Sequence, residues 1–146
     1  MQWDASKYAG FTAPDAPVEP WISVNPNHVE INAAEEFDDP DSVYTFYKKL
    51  IAMRHNSATI STGEWHLLAA DSDQVYAFTR VDGDDTILVA VNLTDRSAAL
   101  PLDVAELLSD GVNESQVLLS TYDAMHSVKS IAHGELARWE GVVIQL

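Results

Sequence analysis

The chain contains no cysteine. That removes disulfides, thiolate nucleophiles and cysteine-based zinc sites at once. Cations are scarce too: 8 Lys and Arg against 23 Asp and Glu leave a net charge of −15. Nucleic acid and anionic membranes carry charge of the same sign, so neither is expected as a partner. No run approaches the ~20 apolar residues of a membrane-spanning helix; the longest is Ile87-Leu88-Val89-Ala90-Val91. No apolar N-terminal region of a secretion signal is visible, and a cytoplasmic protein is expected. The six glycines are scattered singly, so no phosphate-cradling loop can be read. The histidines, His28, His55, His66, His126 and His133, show no metal-ligand spacing, and neither a metal nor another cofactor is expected. No serine stands in a Gly-x-Ser-x-Gly setting.

What is present is a chain that can fold. Hydrophobic residues make up 47% of 146 positions, enough for a core and against disorder throughout. Residues 1–38 read as a long loop, because Pro14, Pro17, Pro20 and Pro26 interrupt regular structure. Phe11, Trp21 and Ile22 are more apolar than a solvated loop needs. Residues 40–55 are predicted to form a helix, capped by Asp39, with Pro40 at its first position. Val43, Phe46, Tyr47, Leu50 and Ile51 recur at three- and four-residue steps, which makes the helix amphipathic.

Beyond residue 57 the period changes to two. Strands are predicted at Glu64–Ala69, Gln74–Val81, Thr86–Leu93, Val117–Thr121 and Val142–Leu146. Asp82-Gly83-Asp84-Asp85 is a hairpin turn, its glycine supplying left-handed backbone cheaply. Residues 103–108 suit either a short helix or a strand. The expected organisation is therefore a mainly β chain. Residues 1–56 hold a loop and one helix, and residues 57–146 an antiparallel β-sandwich.

Chemistry is harder to find. Acidic pairs are plentiful in so acidic a chain, and each has a simpler reading. Glu35-Glu36 and Asp38-Asp39 suit a solvated helix start, and Asp71 and Asp73 suit turns. Asp82, Asp84 and Asp85 lack the twelve-residue ligand pattern of a calcium loop. Trp65, Tyr76, Tyr122 and Trp139 could stack on sugars; their simpler role is to fill the core or its seam with the helix.

Four segments, in order, carry a resemblance. They are Met1-Gln2-Trp3-Asp4 with Ala9-Gly10-Phe11-Thr12; Pro20-Trp21-Ile22-Ser23-Val24-Asn25-Pro26-Asn27 with Glu30-Ile31-Asn32; Asp41-Ser42-Val43 with Phe46-Tyr47-Lys48-Lys49-Leu50-Ile51 and Arg54; and the closing Arg138-Trp139-Glu140-Gly141-Val142-Val143-Ile144-Gln145-Leu146. Together they resemble the C-terminal end of α-glucosidases of the α-amylase superfamily, the oligo-1,6-glucosidase group of glycoside hydrolases. The resemblance implies that the 40–55 helix is the last of a (β/α)8 catalytic barrel and that the β domain follows it. It implies a retaining enzyme acting on short α-glucosides. The Asp nucleophile, Glu acid and second Asp of that family belong to segments upstream of Met1. This chain alone is thus expected to contain no catalytic residue and to be inactive, with Gln2, Trp3 and Asp4 on a loop at the rim of the intact active site. Its α-glucoside would bind only in the intact parent. Surface normally covered by the barrel is expected to pair two copies of the chain. Two further readings stay open: a fragment of a trehalose-phosphate hydrolase, and a free-standing carbohydrate-binding β-sandwich.

Overall fold

A computed structural model describes residues 1–146. They form two compact units, Met1–Met53 and Arg54–Leu146. No helix is long and apolar enough to cross a membrane.

The first unit is built on hydrogen bonds rather than on a core. Its loop carries a 3-10 turn at Pro26–Val29, capped by the Asn25 side chain, which accepts the Asn27 N–H. A helix follows at Ala33–Asp38, α1, inside the stretch expected to be all loop. The Asn32 carboxamide oxygen accepts the Glu35 N–H at 3.1 Å and starts it. The second helix, α2, runs over Val43–Asn56 and so begins three residues later than expected. The Asp39 carboxylate accepts the Asp41 N–H at 2.9 Å and closes a turn instead of capping the helix. Ser42 takes the capping role, its hydroxyl accepting the Thr45 N–H at 3.1 Å. The Glu36 carboxylate adds a second cap on the Tyr44 N–H at 3.1 Å, a negative charge where the helix dipole favours one. No residue of α2 is buried.

The second unit opens with a short helix, α3, at Ala58–Thr62, capped by Ser57. Seven strands follow: β1 Glu64–Leu68, β2 Val75–Asp82, β3 Asp85–Asn92, β4 Ala98–Ala99, β5 Val117–Ser120, β6 Glu135–Leu136 and β7 Gly141–Gln145. Five of them make one antiparallel sheet in the order β1-β2-β3-β7-β5. The β2–β3 hairpin pairs Asp82 with Asp85 around Gly83, whose φ of +60° is the left-handed conformation the sequence called for. Gly63, between α3 and β1, is needed for a different reason. A Cβ there would lie 2.4 Å from the Thr59 carbonyl oxygen and 2.9 Å from that of Val81.

One face of the sheet carries Val75, Ala77, Leu88, Ala90, Val142 and Ile144 into the core. The expected sandwich is not what covers it. The opposing layer contains only a two-stranded ribbon, β4 with β6. Two helices complete it: α4 at Leu102–Leu107 and α5 at Ala124–Ala132. Ala98, Val104, Leu108, Ile131 and Leu136 are their contributions to the same core. The chain is thus mixed α and β rather than mainly β. The aromatic rings are not in this core, which is aliphatic.

Candidate functional site

The loop bearing Gln2, Trp3 and Asp4 is shaped by its own backbone. The Trp3 N–H donates to the Ala9 carbonyl at 2.9 Å, and the Ala9 N–H to that of Ser6 at 2.8 Å. Ala9 and Gly10 are both left-handed, with φ of +51° and +71°. At Gly10 a Cβ would stand 2.7 Å from the Trp3 Cβ and 3.1 Å from the Asp4 Oδ2, so only glycine fits under that tryptophan.

The start of α1 locks the loop in place. A helix leaves its first N–H groups without intrahelical partners. Here the Ala33 N–H donates to the Gln2 carbonyl and the Ala34 N–H to the Trp3 carbonyl, each at 3.0 Å. The Gln2 carboxamide donates to the Ile31 carbonyl at 2.6 Å and to the Asn27 Oδ1 at 3.1 Å. Gln2 is therefore a structural clamp at both its backbone and its side chain.

Asp4 is tied to Ser6. Its Oδ1 accepts the Ser6 N–H at 2.9 Å. Hydrogen bonding to Ser6, first through its side chain and then its backbone, holds the carboxyl below the ordinary aspartate value, with a smaller push from the nearby His28. Glycoside hydrolysis needs two carboxyl groups, one of them protonated near neutral pH. Asp4 is kept ionised, and its hydrogen bonds go to Ser6 rather than to a second carboxyl. An ionised carboxylate there can accept a hydroxyl proton.

Beside this loop lies an open groove of about 710 Å³, lined by Gln2, Phe11, Trp21, Ile22, Val24 and Asn25 among others. Its size is that of a ligand site. Gln2 lines it; Trp3 and Asp4 do not. Trp21 is 95% exposed. A neighbouring hollow of about 400 Å³ includes Lys7, Tyr8, Glu19 and His28. There the Lys7 ammonium sits 4.5 Å above the Tyr8 ring.

The second unit separates the four rings read from the sequence. Trp65 and Tyr76 flank Phe78 on the open face of the sheet, with ring centroids 6.3 and 5.7 Å from it. Tyr122 stacks on His126 at 4.3 Å and donates to the Arg138 carbonyl at 3.0 Å. Trp139 is exposed and left-handed, at φ +55°. All four rings are at least 40% exposed, against the expectation that they fill the core or its seam.

Sequence reading passed over one of the most buried polar groups of the chain. Glu140 is fully enclosed. Its Oε1 accepts the Ser127 hydroxyl at 2.6 Å and its Oε2 the Ala137 N–H at 2.7 Å. Ser127 is linked onward to the Ser120 hydroxyl at 2.7 Å. No basic side chain pairs with this carboxylate. Buried Asn92, whose N–H donates to the Glu140 carbonyl at 2.8 Å, donates through its side chain to the carbonyls of Arg96, Leu136 and Ala137. Only the position of Glu140 in the closing Trp139-Glu140-Gly141 segment could have signalled it.

Comparison with known proteins also divides the chain in two, but at residues 63–65, beyond the Met53–Arg54 boundary of the structural units. Residues 1–63 match the α-amylase catalytic domain, and residues 65–114 the maltogenic amylase C-terminal domain. The chain is 34% identical over 146 residues to an oligo-1,6-glucosidase of Parageobacillus thermoglucosidasius, covering 100% of this chain and 24% of that protein. It is 35% identical over 130 residues to a glucan 1,6-alpha-glucosidase of Streptococcus pneumoniae, covering 85% of this chain and 23% of that one. Among solved structures, isomaltulose synthase from Klebsiella sp. LX3 superimposes with a TM-score of 0.78 at 30% identity, over 99% of this chain and 24% of that one. The chain spans about a quarter of the length of the relatives it matches.

Proposed function

Because the chain belongs to the α-amylase superfamily of glycoside hydrolases, we propose that it is a non-catalytic portion of an α-glucosidase that hydrolyses short α-1,6-linked glucosides in the cytoplasm. The observation that carries this reading is the whole-length match to oligo-1,6-glucosidases. The geometry of the first loop supports it. A clamped Gln2, an exposed Trp3 and an ionised Asp4 suit the rim of a sugar cleft, where hydroxyls are bound and no proton is delivered. The nucleophile and the acid belong to residues outside this chain.

The test has two parts. The isolated chain should not turn over an aryl α-glucoside, isomaltose or trehalose 6-phosphate. Activity that survives purification and is abolished by one point mutation in this chain would sink the reading. The coding sequence ahead of Met1 should run in frame into a barrel bearing two Asp and one Glu at strand ends. A stop codon there would make the chain a protein of its own and refute the assignment.

The exposed rings of Trp65 and Tyr76 favour a second reading, a carbohydrate-binding surface on the open sheet face. Retention of the chain on insoluble glucan, lost in Trp65→Ala, would establish it in place of the first.

A further inference from the structure

One apolar residue of the sheet is buried outside the main core. Ile87 is 2% exposed yet does not belong to the core cluster. Its cross-strand neighbours Arg80 and Gln145 share its face, the one opposite the core. The short helix α3 lies against β2 and β3, and its Thr59 is nearly as enclosed as Ile87. Polar contacts fasten α3 there. The Asp85 carboxylate accepts the Thr59 hydroxyl on Oδ2 and the Gln145 carboxamide on Oδ1, so α3, β3 and β7 meet on one side chain. The Arg80 Nε donates to the Thr59 carbonyl at 3.5 Å. In turn, α3 holds the end of α2: the Ser61 hydroxyl donates to the Arg54 carbonyl, and the Arg54 guanidinium to that of Ile60 at 3.4 Å.

Asp85 does this beside two charges of its own sign. Asp82 is its cross-strand partner in the hairpin, and Asp84 precedes it. Residues directly opposed on two strands have Cβ atoms about 5 Å apart, and like charges there destabilise the pair. No cation offsets them. The acidic members of the ion pairs are Glu19 and Glu64, and Arg80 is committed to a carbonyl. With α3 in place, the Asp85 carboxylate is held next to Asp82 and loses part of its hydration. With α3 lifted, it can turn into water and away from Asp82. The repulsion therefore acts mainly on the closed form. Two unit charges about 5 Å apart in water shift an equilibrium about fourfold, and Asp84 adds to this. Salt at 1 M shortens the screening length to ~3 Å, against ~30 Å at 0.01 M, and removes most of the effect. We propose that Asp85 is a latch set by ionic strength: its carboxylate fastens α3 to the β2–β3 hairpin and β7, and Asp82 and Asp84 loosen that grip when salt is withdrawn.

Amide exchange of the 146-residue chain tests the latch. The Ser61 and Gly63 N–H groups are bonded to the Ser57 and Thr59 carbonyls, at 3.1 and 3.0 Å, and exchange when α3 lifts. Their exchange should be at least threefold slower in 1 M KCl than in 0.01 M KCl, and amides of β3 should change by a smaller factor. Asp82→Asn with Asp84→Asn should bring the low-salt rate down to the high-salt one; both side chains are exposed, so this pair tests the charge without disturbing the core. Asp85→Ala should exchange fast at Ser61 and Gly63 in both salts while β3 stays protected. Equal exchange at the two salts in the unmodified chain would overturn the proposal. So would a salt effect undiminished in the Asn pair, which would assign it to the net charge of −15 as a whole. Loss of β3 protection in Asp85→Ala would overturn it too, because Asp85 would then support the entire sheet and not a local latch.

Discussion

Replacing Glu140 by alanine should destabilise the second unit more than most single changes. The side chain is fully enclosed, and it holds the Ala137 N–H and the Ser127 hydroxyl. Truncation leaves the amide without a partner, at about 1–3 kcal/mol. Loss of packing around the removed atoms adds about 1–2 kcal/mol. Ser127 is less affected, because the Ser120 hydroxyl remains beside it. The expected total is about 2–5 kcal/mol, a large share of the 5–15 kcal/mol typical of a domain. Urea unfolding followed by circular dichroism reads it as a midpoint drop of about 1–2.5 M, for a slope of about 2 kcal/mol/M. Glu140→Gln should cost less, about 1–2 kcal/mol, because its oxygen can keep the Ala137 N–H while its amide donates to a reoriented Ser127. Combining Glu140→Ala with Ser127→Ala should give less than the sum of the two, by about 0.5–3 kcal/mol. Amide exchange at Ala137 should speed up in both Glu140 variants and most in the alanine. A cost below about 0.5 kcal/mol for Glu140→Ala would show that the carboxylate network is decorative, and that the argument from its burial is wrong.

Other consequences are as direct. Leu88→Ala, at a fully buried position in the centre of the sheet, should cost about 2–5 kcal/mol, whereas Leu50→Ala on half-buried α2 should cost under about 2 kcal/mol by the same measurement. Gly10→Ala places a Cβ 2.7 Å from that of Trp3 at a φ of +71°; cleavage of the first loop by protease should rise, and unchanged resistance would refute the geometry. The Asp4 carboxyl, lowered by Ser6, should titrate below 3.8 by carbon-detected NMR. Its contribution is present above the unfolded value and lost as the pH falls through the folded one; Ser6→Ala should raise the midpoint. The free chain at about 100 μM should self-associate more strongly as salt rises, because screening shortens from ~30 Å at 0.01 M to ~8 Å at 0.15 M while apolar attraction persists; sedimentation showing weaker association at the higher salt would contradict this.

Where a feature was local, the sequence disclosed it. The β2–β3 hairpin follows from Asp82-Gly83 between two alternating runs, and its register is as the pattern required. Where two local signals competed, the choice went unseen. Asp39 and Ser42 both make good caps, and the bond from Asp41 back to the Asp39 carboxylate decided between them. Helix α5 had its signals, an Asp123 cap and Val128 and Ile131 three apart, but two of its three buried residues are Ser127 and Ser130, which leave no apolar stripe to read. The sandwich was a fold-level habit imposed on strands that number too few on one side: β4 and β6 are two residues each. At the site, the loop containing Gln2, Trp3 and Asp4 could be picked out by resemblance. That Gln2 is consumed in holding α1 could not, because its partners lie 25 to 31 residues away.

The strand order sets a schedule for synthesis. β1, β2 and β3 are neighbours in the chain and can pair as soon as each emerges from the ribosome. β5, made some 25 residues later, has no place beside them; its only partner in the sheet is β7. Until residues 141–145 are released, β3 has one bare edge and β5 has none of its bonds. The nascent polypeptide must carry that bare edge, with the core side chains Leu88 and Ala90 behind it, through the production of about 50 further residues. Its most exposed moment comes late in translation, and a chain stalled shortly before Gly141 is the species a chaperone would meet.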